Sequence, residues 1–151
     1  MTPLVVFRQA SEADIPFLLE CRNDPETRRQ SRHGEVKDET WARGCVAPDS
    51  GRQVYVLDGP KGPVGTGDLR IDRHDQSGRA EVSLTVHPGA RRAGYGATVL
   101  ALLLQEARRL GHTSYAAFIK PGNTASLRLF EAAGFRHVHS WPAEGLEEFH
   151  R

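Results

Sequence analysis

The stretch that decides the fold is Glu81-Val82-Ser83-Leu84-Thr85-Val86-His87-Pro88-Gly89-Ala90-Arg91-Arg92-Ala93-Gly94-Tyr95-Gly96-Ala97. Across residues 80–86, apolar and polar side chains alternate, and this period of two predicts a strand with one buried face. His87-Pro88-Gly89 ends that strand, and a glycine-rich turn follows at residues 91–96. Apolar residues then recur at helical spacing, at Val99, Leu100, Leu103, Ala107 and Leu110. The sequence therefore predicts a strand, a glycine-rich turn and a long helix in succession.

The turn carries the residue types that bind a pyrophosphate. Free N–H groups and the helix dipole favour an anion at a helix N-terminus. Gly94 and Gly96 would let the backbone approach the phosphates, while Arg91 or Arg92 could add charge-assisted contacts. The spacing is neither a P-loop, since no Gly-Lys-Ser/Thr follows, nor a full dinucleotide-binding fingerprint, since a third glycine is lacking. A purely structural tight turn remains an alternative at this point.

The rest of the chain alternates between strand and helix patterns. A capping pattern at Ser11-Glu12-Ala13-Asp14 begins a helix that Asn23-Asp24-Pro25 breaks. A change of parity between Val64 and Leu69, across Gly65 and Gly67, predicts a β-bulge. The strands are predicted near residues 4–7, 54–58, 64–71, 79–86, 115–119 and 135–141, with a weak last strand at 147–150. Further helices are predicted at 26–30, 38–45 and 123–133. This order predicts a single α+β (mixed α/β) domain over residues 1–151.

A second motif makes the pattern specific. Asn123-Thr124-Ala125-Ser126-Leu127-Arg128-Leu129-Phe130-Glu131-Ala132-Ala133-Gly134-Phe135 is an Asn-led helix that ends in Gly-Phe. Together with Arg91-x-x-Gly94-x-Gly96, in this order and at this separation, it resembles the GNAT superfamily of N-acyltransferases. Phe7-Arg8-Gln9-Ala10 followed by Asp14 resembles the superfamily's first strand and helix, so the resemblance covers essentially the whole chain.

The resemblance implies a fold and a cofactor site. The expected fold is a mostly antiparallel, splayed sheet of six to seven strands flanked by about four helices. The strand with Glu81 and the strand starting at Tyr115 are expected to separate and leave a slot for the thioester of acetyl-coenzyme A. The implied cofactor-binding residues are Leu84, Thr85, Val86, Arg91, Arg92, Ala93, Gly94, Tyr95, Gly96, Ala97, Asn123 and Phe130.

Two residues are candidates for catalysis. Acyl transfer to an amine requires that the ammonium lose a proton, and Glu81 is the candidate base, directly or through a water. The alternative is that Glu81 only pairs across the sheet with an arginine such as Arg70. The superfamily often places a tyrosine four residues before the glycine of the second motif, but here that residue is Phe130. Ser126, one helical turn earlier, is the alternative proton donor or orients a water.

The acceptor is less well determined. Asn23, Arg28 and Trp41 lie in a stretch similar to two GNAT branches, which acetylate protein N-terminal amines or amino-sugar nucleotides. The sequence therefore predicts transfer of an acetyl group to a primary amine of one of these kinds. Acetylation of polyamines or aminoglycosides is disfavoured by the basic residues 28–33. A non-catalytic acyl-CoA sensor remains an alternative because of Phe130.

Composition excludes other classes. Among 151 residues, 38% are hydrophobic and 26% are charged, which is typical of a water-soluble globular domain. The net charge of +1 argues against nucleic-acid binding. The apolar runs are too short to span a membrane and the first residues do not resemble a secretory signal, so a cytoplasmic protein is expected. No metal site is expected, since His137 and His139 lack further ligands. The expected assembly is a monomer or a homodimer.

Overall fold

The computed structural model describes residues 4–48, 50–71 and 78–151. Within these ranges one sheet of seven strands has the order β1-β2-β3-β4-β5-β7-β6. Its strands are β1 Val6–Gln9, β2 Arg52–Gly59, β3 Gly62–Ile71, β4 Ala80–Val86, β5 Tyr115–Ile119, β6 Arg136–Trp141 and β7 Leu146–His150. The α-helices in the same ranges are α1 Ile15–Asn23, α2 Pro25–Gln30, α3 Glu39–Val46, α4 Tyr95–Arg109 and α5 Thr124–Ala132. None of these helices is both long and apolar enough to cross a membrane.

The two faces of the sheet carry separate apolar clusters. The larger one joins the sheet to α4 and α5 through buried residues that include Leu69, Val82, Leu103 and Phe130. On the other face, Leu18 of α1, Cys45 of α3 and Val54 of β2 form a smaller cluster. Period-two strands thus bury one side against α4 and α5 and the other against α1 and α3, which confirms the predicted mixed α+β architecture.

The predicted bulge lies at Val64 itself. Leu57 pairs with Gly65, whereas Asp58 pairs with Pro63, so Val64 is the extra residue of β3. The following residues pair regularly with β4, so Gly65 and Gly67 have a different role from the one expected. A Cβ on Gly67 would lie 3.2 Å from a methyl of Val99 on α4. The glycines therefore allow α4 to pack closely against β3.

The strands β4 and β5 separate soon after they meet, as expected. They are parallel, and they pair only at Ala80 with Tyr115 and at Glu81 with Ala116 among the described residues. Ala80 N donates to Ser114 O at 3.0 Å, and strand alternation then turns the N–H and C=O groups of Leu84 and Val86 to the same edge. That edge therefore presents unpaired backbone groups to the gap.

Helix α5 ends as the sequence predicts. Phe135 N donates to Phe130 O, and Gly134 N donates to Glu131 O, both at 3.0 Å. With Gly134 at φ 93°, these bonds form a Schellman motif. The rings of Phe130 and Phe135 pack edge to face, 5.0 Å between centroids, which is the apolar contact that accompanies this motif.

The last strand has a different position from the one its sequence suggests. It was expected to be a weak terminal strand, but β7 lies between β5 and β6 and pairs antiparallel with both. Leu146 and Phe149 are buried, whereas every residue of β6 is exposed. The pattern Leu-Glu-Glu-Phe contains too few residues to show that β7 is internal and that β6 is the edge.

An arginine joins the first strand to the first helical turn and to β2. Arg8 donates to both carboxylate oxygens of Asp14, at 2.8 and 2.9 Å, and to Asp58 at 2.6 Å. Asp14 is buried and also accepts from Ser11 N at 2.8 Å. Chiefly because of the hydrogen bond from Arg8, the pKa of Asp14 is lowered from the ordinary value of 3.8. The ionised Asp14 therefore stabilises the fold.

We expect Asp14→Asn to lower the free energy of unfolding by about 1.5–3 kcal/mol at pH 7, because it removes a charged hydrogen-bond acceptor. A lowered pKa contributes stability above the unfolded value of about 3.9, and that stability is lost as the pH falls through the folded value. The difference between variant and wild type should therefore shrink below about pH 3.9 in urea titrations. Glu39→Gln, which removes an exposed pair with Arg43, is the control and should cost below about 0.5 kcal/mol. A pH-independent loss in Asp14→Asn would contradict the assigned role.

Candidate active site

A cavity of about 700 Å³ opens where β4 and β5 separate. It extends from the glycine-rich turn before α4 to polar side chains of α1, β2 and β3. Most of the residues predicted for the site line it: Glu81, Leu84, Thr85, Val86, Arg91, Arg92, Gly94, Tyr95, Gly96, Asn123, Ser126 and Phe130. Ala93 and Ala97 belong to the same turn and first helical turn but are exposed outside this lining.

The glycine-rich turn has the backbone that an anion site needs. Arg92 and Gly94 have positive φ, 68° and 81°, and Gly94 caps α4. Among the described residues, no acceptor is recorded for the N–H groups of residues 91–96. A Cβ on Gly96 would lie 3.4–3.9 Å from Leu129, Val86 and Leu84. The missing side chain therefore leaves room in the cavity beside free N–H groups, which fits a diphosphate and the chain attached to it.

Arg91 links this turn to the helices on the other side of the cavity. Its guanidinium donates to Asp24 at 2.6 Å and to Thr27 Oγ1 at 3.1 Å. Asp24 in turn caps α2 by accepting from Thr27 N at 3.1 Å. The hydrogen bond from Arg91 is the main reason that the pKa of Asp24 is lowered. The turn and the α1–α2 junction are thus held together by charge.

Glu81 lies at the fork of the two strands. It is opposite Ala116 in the last pair between β4 and β5 and opposite Arg70 in β3. Burial raises the pKa of Glu81, whereas the positive charges of Arg70 and Arg32 oppose this effect. No hydrogen bond between Glu81 and Arg70 is recorded among the described residues. Glu81 is thus a half-buried carboxyl beside arginines rather than half of a closed ion pair.

The side chains near Glu81 include residues that the sequence interpretation missed. Arg52 Nε donates to Asp68 at 2.7 Å, and Arg22 and Arg52 both lie over the ring of Trp41. Arg22, Arg52 and Asp68 line the cavity. A signal existed for Arg22, because it lies four residues after Leu18 on the face that α1 buries. For Arg52 and Asp68 the sequence contains no such signal, because polar residues that alternate along a strand are also typical of a solvent-exposed sheet face.

The predicted acceptor residues have other contacts. Asn23 bonds the backbone of Lys37 twice, at 2.7 and 2.9 Å. Arg28 donates to Gly34 O at 2.9 Å, and Trp41 lines a separate void of about 20 Å³. None of the three is in the main cavity lining, so acceptor binding by these residues stays a prediction. Their observed contacts shape the segment that follows α2.

The three tyrosines of the chain cannot substitute for the absent one at position 130. Tyr55 donates to Gln53 at 2.6 Å and Tyr115 to His112 O at 2.8 Å. The hydroxyl of Tyr95 lies 3.3 Å from the Cβ position of Gly59, at the β2–β3 turn. Ser126 lines the cavity, and its backbone N–H donates to the capping Asn123 at 3.3 Å. Ser126 therefore lies in the cavity wall, one helical turn before Phe130.

The splayed sheet, the turn with free N–H groups before α4 and the cavity between them together form a candidate site for a diphosphate-bearing ligand. The family model for the acetyltransferase (GNAT) domain matches residues 5–136. The chain belongs to the GNAT acetyltransferase family.

Individual relatives agree in fold. The yncA protein of Salmonella typhimurium, solved with its cofactor acetyl-CoA, is 25% identical with a TM-score of 0.79, over 97% of this chain and 92% of that one. Ribosomal-protein-alanine N-acetyltransferase from Brucella melitensis is 26% identical with a TM-score of 0.77, over 96% of each chain. An L-methionine sulfoximine/L-methionine sulfone acetyltransferase of Salmonella typhimurium is 37% identical over 67 residues, 44% of this chain. The chain matches 39% of the length of that relative.

We expect acetyl-CoA at about 100 times its dissociation constant to stabilise the protein by about 2.7 kcal/mol, which raises the melting temperature by roughly 5–10 °C. Gly96→Val should abolish most of this rise, because its branched side chain would fill the space between Leu129, Val86 and Leu84. Gly44→Ala is the control, since a Cβ there meets nothing within 4 Å. Differential scanning fluorimetry of the three proteins measures the effect. An equal rise in Gly96→Val would show that the ligand does not use this turn.

Proposed function

We propose that residues 1–151 form a catalytic domain that transfers the acetyl group of acetyl-CoA to a primary amine. The observation that carries the proposal is the position of Glu81, a half-buried carboxyl at the fork of β4 and β5, in the same cavity as the free N–H groups before α4. A donor held by the turn would reach the fork along β4. Family membership supports both the activity and the choice of donor.

The donor would be held mainly by backbone. The N–H groups of residues 91–96 would bind the diphosphate, with Arg92 as a charged partner. The free edge of β4 at Leu84 and Val86 would pair with the pantetheine arm, as a further strand would. Asn123 uses its side-chain oxygen to cap α5, which leaves its NH₂ group for the ligand. When bound, acetyl-CoA supplies an activated thioester carbonyl.

Glu81 would act as the general base. The acceptor enters as an ammonium ion and must lose a proton before its nitrogen can attack. A carboxylate with a raised pKa is a better proton acceptor than an ordinary glutamate, and burial supplies that shift here. The N–H groups near Val86 would stabilise charge on the carbonyl oxygen. Ser126 would donate a proton to the departing sulfur or orient a water that does so.

The names of two relatives suggest two classes of acceptor for this chain. One relative is named for ribosomal-protein alanine and another for L-methionine sulfoximine, so a protein N-terminus and a small amino compound are both represented. Polyamines and aminoglycosides are disfavoured, because Arg22, Arg32, Arg52 and Arg70 line the cavity and would repel a polycation. An amino-sugar nucleotide stays an alternative. A non-catalytic acyl-CoA sensor would bind the donor without turnover of any amine.

We expect Glu81→Gln to lower kcat/KM by about 10²–10⁴, the usual contribution of a general base, with acetyl-CoA binding retained. The wild-type rate should rise with pH as Glu81 loses its proton. Because the pKa of Glu81 is raised, the acidic limb of the pH–rate profile should lie at higher pH than an ordinary glutamate would give. Arg70→Gln removes a charge that lowers this pKa, so the limb should move to still higher pH. Steady-state release of coenzyme A against pH, over a panel of amines, measures all three proteins. If Glu81→Gln kept the wild-type rate and the wild-type pH–rate profile, Glu81 would not be the general base.

Ser126→Ala should have a smaller effect, below about 10²-fold on kcat. The reason is that a thiol has a pKa of about 8.5, so the thiolate departs with little help. Thr98→Val is the matched control. It removes a hydroxyl of α4 that donates to Gly94 O and does not line the cavity. Single-turnover measurement of coenzyme A release tests the difference between them. Equal rates in both variants would leave Ser126 without a chemical role.

A further inference from the structure

The acceptor side of the cavity carries more positive charge than its acids neutralise. Four arginines line it, and two of them have acidic partners: Arg52 bonds Asp68, and Arg32 bonds Glu144 at 2.9 Å. Arg22, which is half-buried, and Arg70, which is exposed on β3, have no acidic hydrogen-bond partner among the described residues. A half-buried charge such as that of Arg22 is costly to the fold unless it is paired. The unpaired positive charge of Arg22, with Arg70 nearby, therefore indicates an anionic ligand group.

Arg22 is the most incompletely satisfied of these side chains. Its Nε is buried and has no hydrogen-bond partner among the described residues. The guanidinium lies 5.6 Å from the centre of the Trp41 ring, which covers one of its faces. Burial and the neighbouring charges of Arg52 and Arg70 lower the pKa of Arg22. A planar anion would relieve this unfavourable environment.

A carboxylate oxygen without a hydrogen-bond partner lies in the wall of the same cavity. Asp68 Oδ1 is also buried without a partner, while the carboxylate as a whole is held by Arg52. A cavity that offers one unsatisfied cationic donor and one unsatisfied anionic acceptor matches a ligand that carries both charges. Because Arg70 is directly opposite Glu81, with Cβ atoms of such pairs about 4.5–5.5 Å apart, the ligand's anion and amine must be close together.

From these contacts we infer that the acceptor is a small zwitterion, an α-amino acid or a close analogue, whose carboxylate is bound by Arg22 with Arg70 beside it. The inference rests on the proposed acetyl transfer and names the substrate class of that site. The ammonium group would face Glu81 and the orphaned oxygen of Asp68. Arg22 is then a specificity-determining residue, because a neutral amine leaves its Nε unpaired.

The test compares free L-amino acids with their amides, which keep the amine and the side chain but replace the carboxylate by a neutral group. For the wild type we expect kcat/KM for the best acid to exceed that of its amide by about 10- to 100-fold, the usual effect of a hydrogen bond to a charged group. Arg22→Gln should reduce this acid-to-amide ratio toward one, mainly through KM for the acid. Arg22→Lys, which keeps the charge but not the planar fork, should give an intermediate ratio.

Controls separate recognition from folding. Arg108→Gln removes an exposed arginine of α4 and should keep the wild-type ratio. The stabilisation by acetyl-CoA should persist in Arg22→Gln, which shows that the donor half is intact. Retention of the wild-type ratio in Arg22→Gln would overturn the inference, and a water in the adjoining void of about 20 Å³ would then satisfy the orphaned atoms.

Other outcomes distinguish this inference from the function on which it rests. Equal turnover of acids and amides, or turnover only of peptides with a free N-terminus, overturns the zwitterion and leaves acetyl transfer intact. Turnover of glucosamine 6-phosphate but of no amino acid shows that the anion is a phosphate and overturns the carboxylate. Failure to acetylate any amine, with acetyl-CoA bound, overturns the proposed function and with it the substrate class.

Discussion

The separation of β4 from β5 is the constraint on which the rest of the structure depends. The parallel strands share two residue pairs, and beyond Glu81 their facing edges have no partner strand among the described residues. Unpaired backbone groups in a protein interior are costly, so such a gap persists only where water or a ligand satisfies them. The cavity, its free N–H groups and the half-buried carboxyl at its base all follow from this one divergence.

Several contacts hold the two halves of the sheet at this distance. On one side, Gly65 and Gly67 let α4 pack closely on β3, which fixes the turn at the mouth of the cavity. On the other, β7 pairs antiparallel with the outer edge of β5 and fixes the position of that strand. Two ion pairs then cross the opening, Arg91 with Asp24 and Arg32 with Glu144. The gap is therefore supported by contacts on both of its sides.

The sequence predicted the elements whose periodicity is local and strong. The strand with Glu81, the helix that begins at Tyr95 and the α5 cap at Gly134 lie where their patterns indicate, because alternation and Schellman chemistry act within a few residues. The internal position of β7 depends on which strands it pairs with, and the pattern of its five residues does not indicate those partners. Arg52 and Asp68 were missed for a related reason, since the side chain that covers a strand face comes from a distant helix.

In the proposed mechanism, the charges around Glu81 would connect recognition of the acceptor to proton transfer. The arginines lower the pKa of Glu81 while burial raises it, so the carboxyl is a stronger base when the arginines are neutralised. A ligand carboxylate beside Arg22 and Arg70 would do this at the moment the amine reaches Glu81. A neutral amine would leave the arginines unscreened and meet a weaker base, in addition to binding less tightly. The same anion that orients the acceptor would thus also favour its deprotonation, which links specificity to rate through electrostatics rather than through shape.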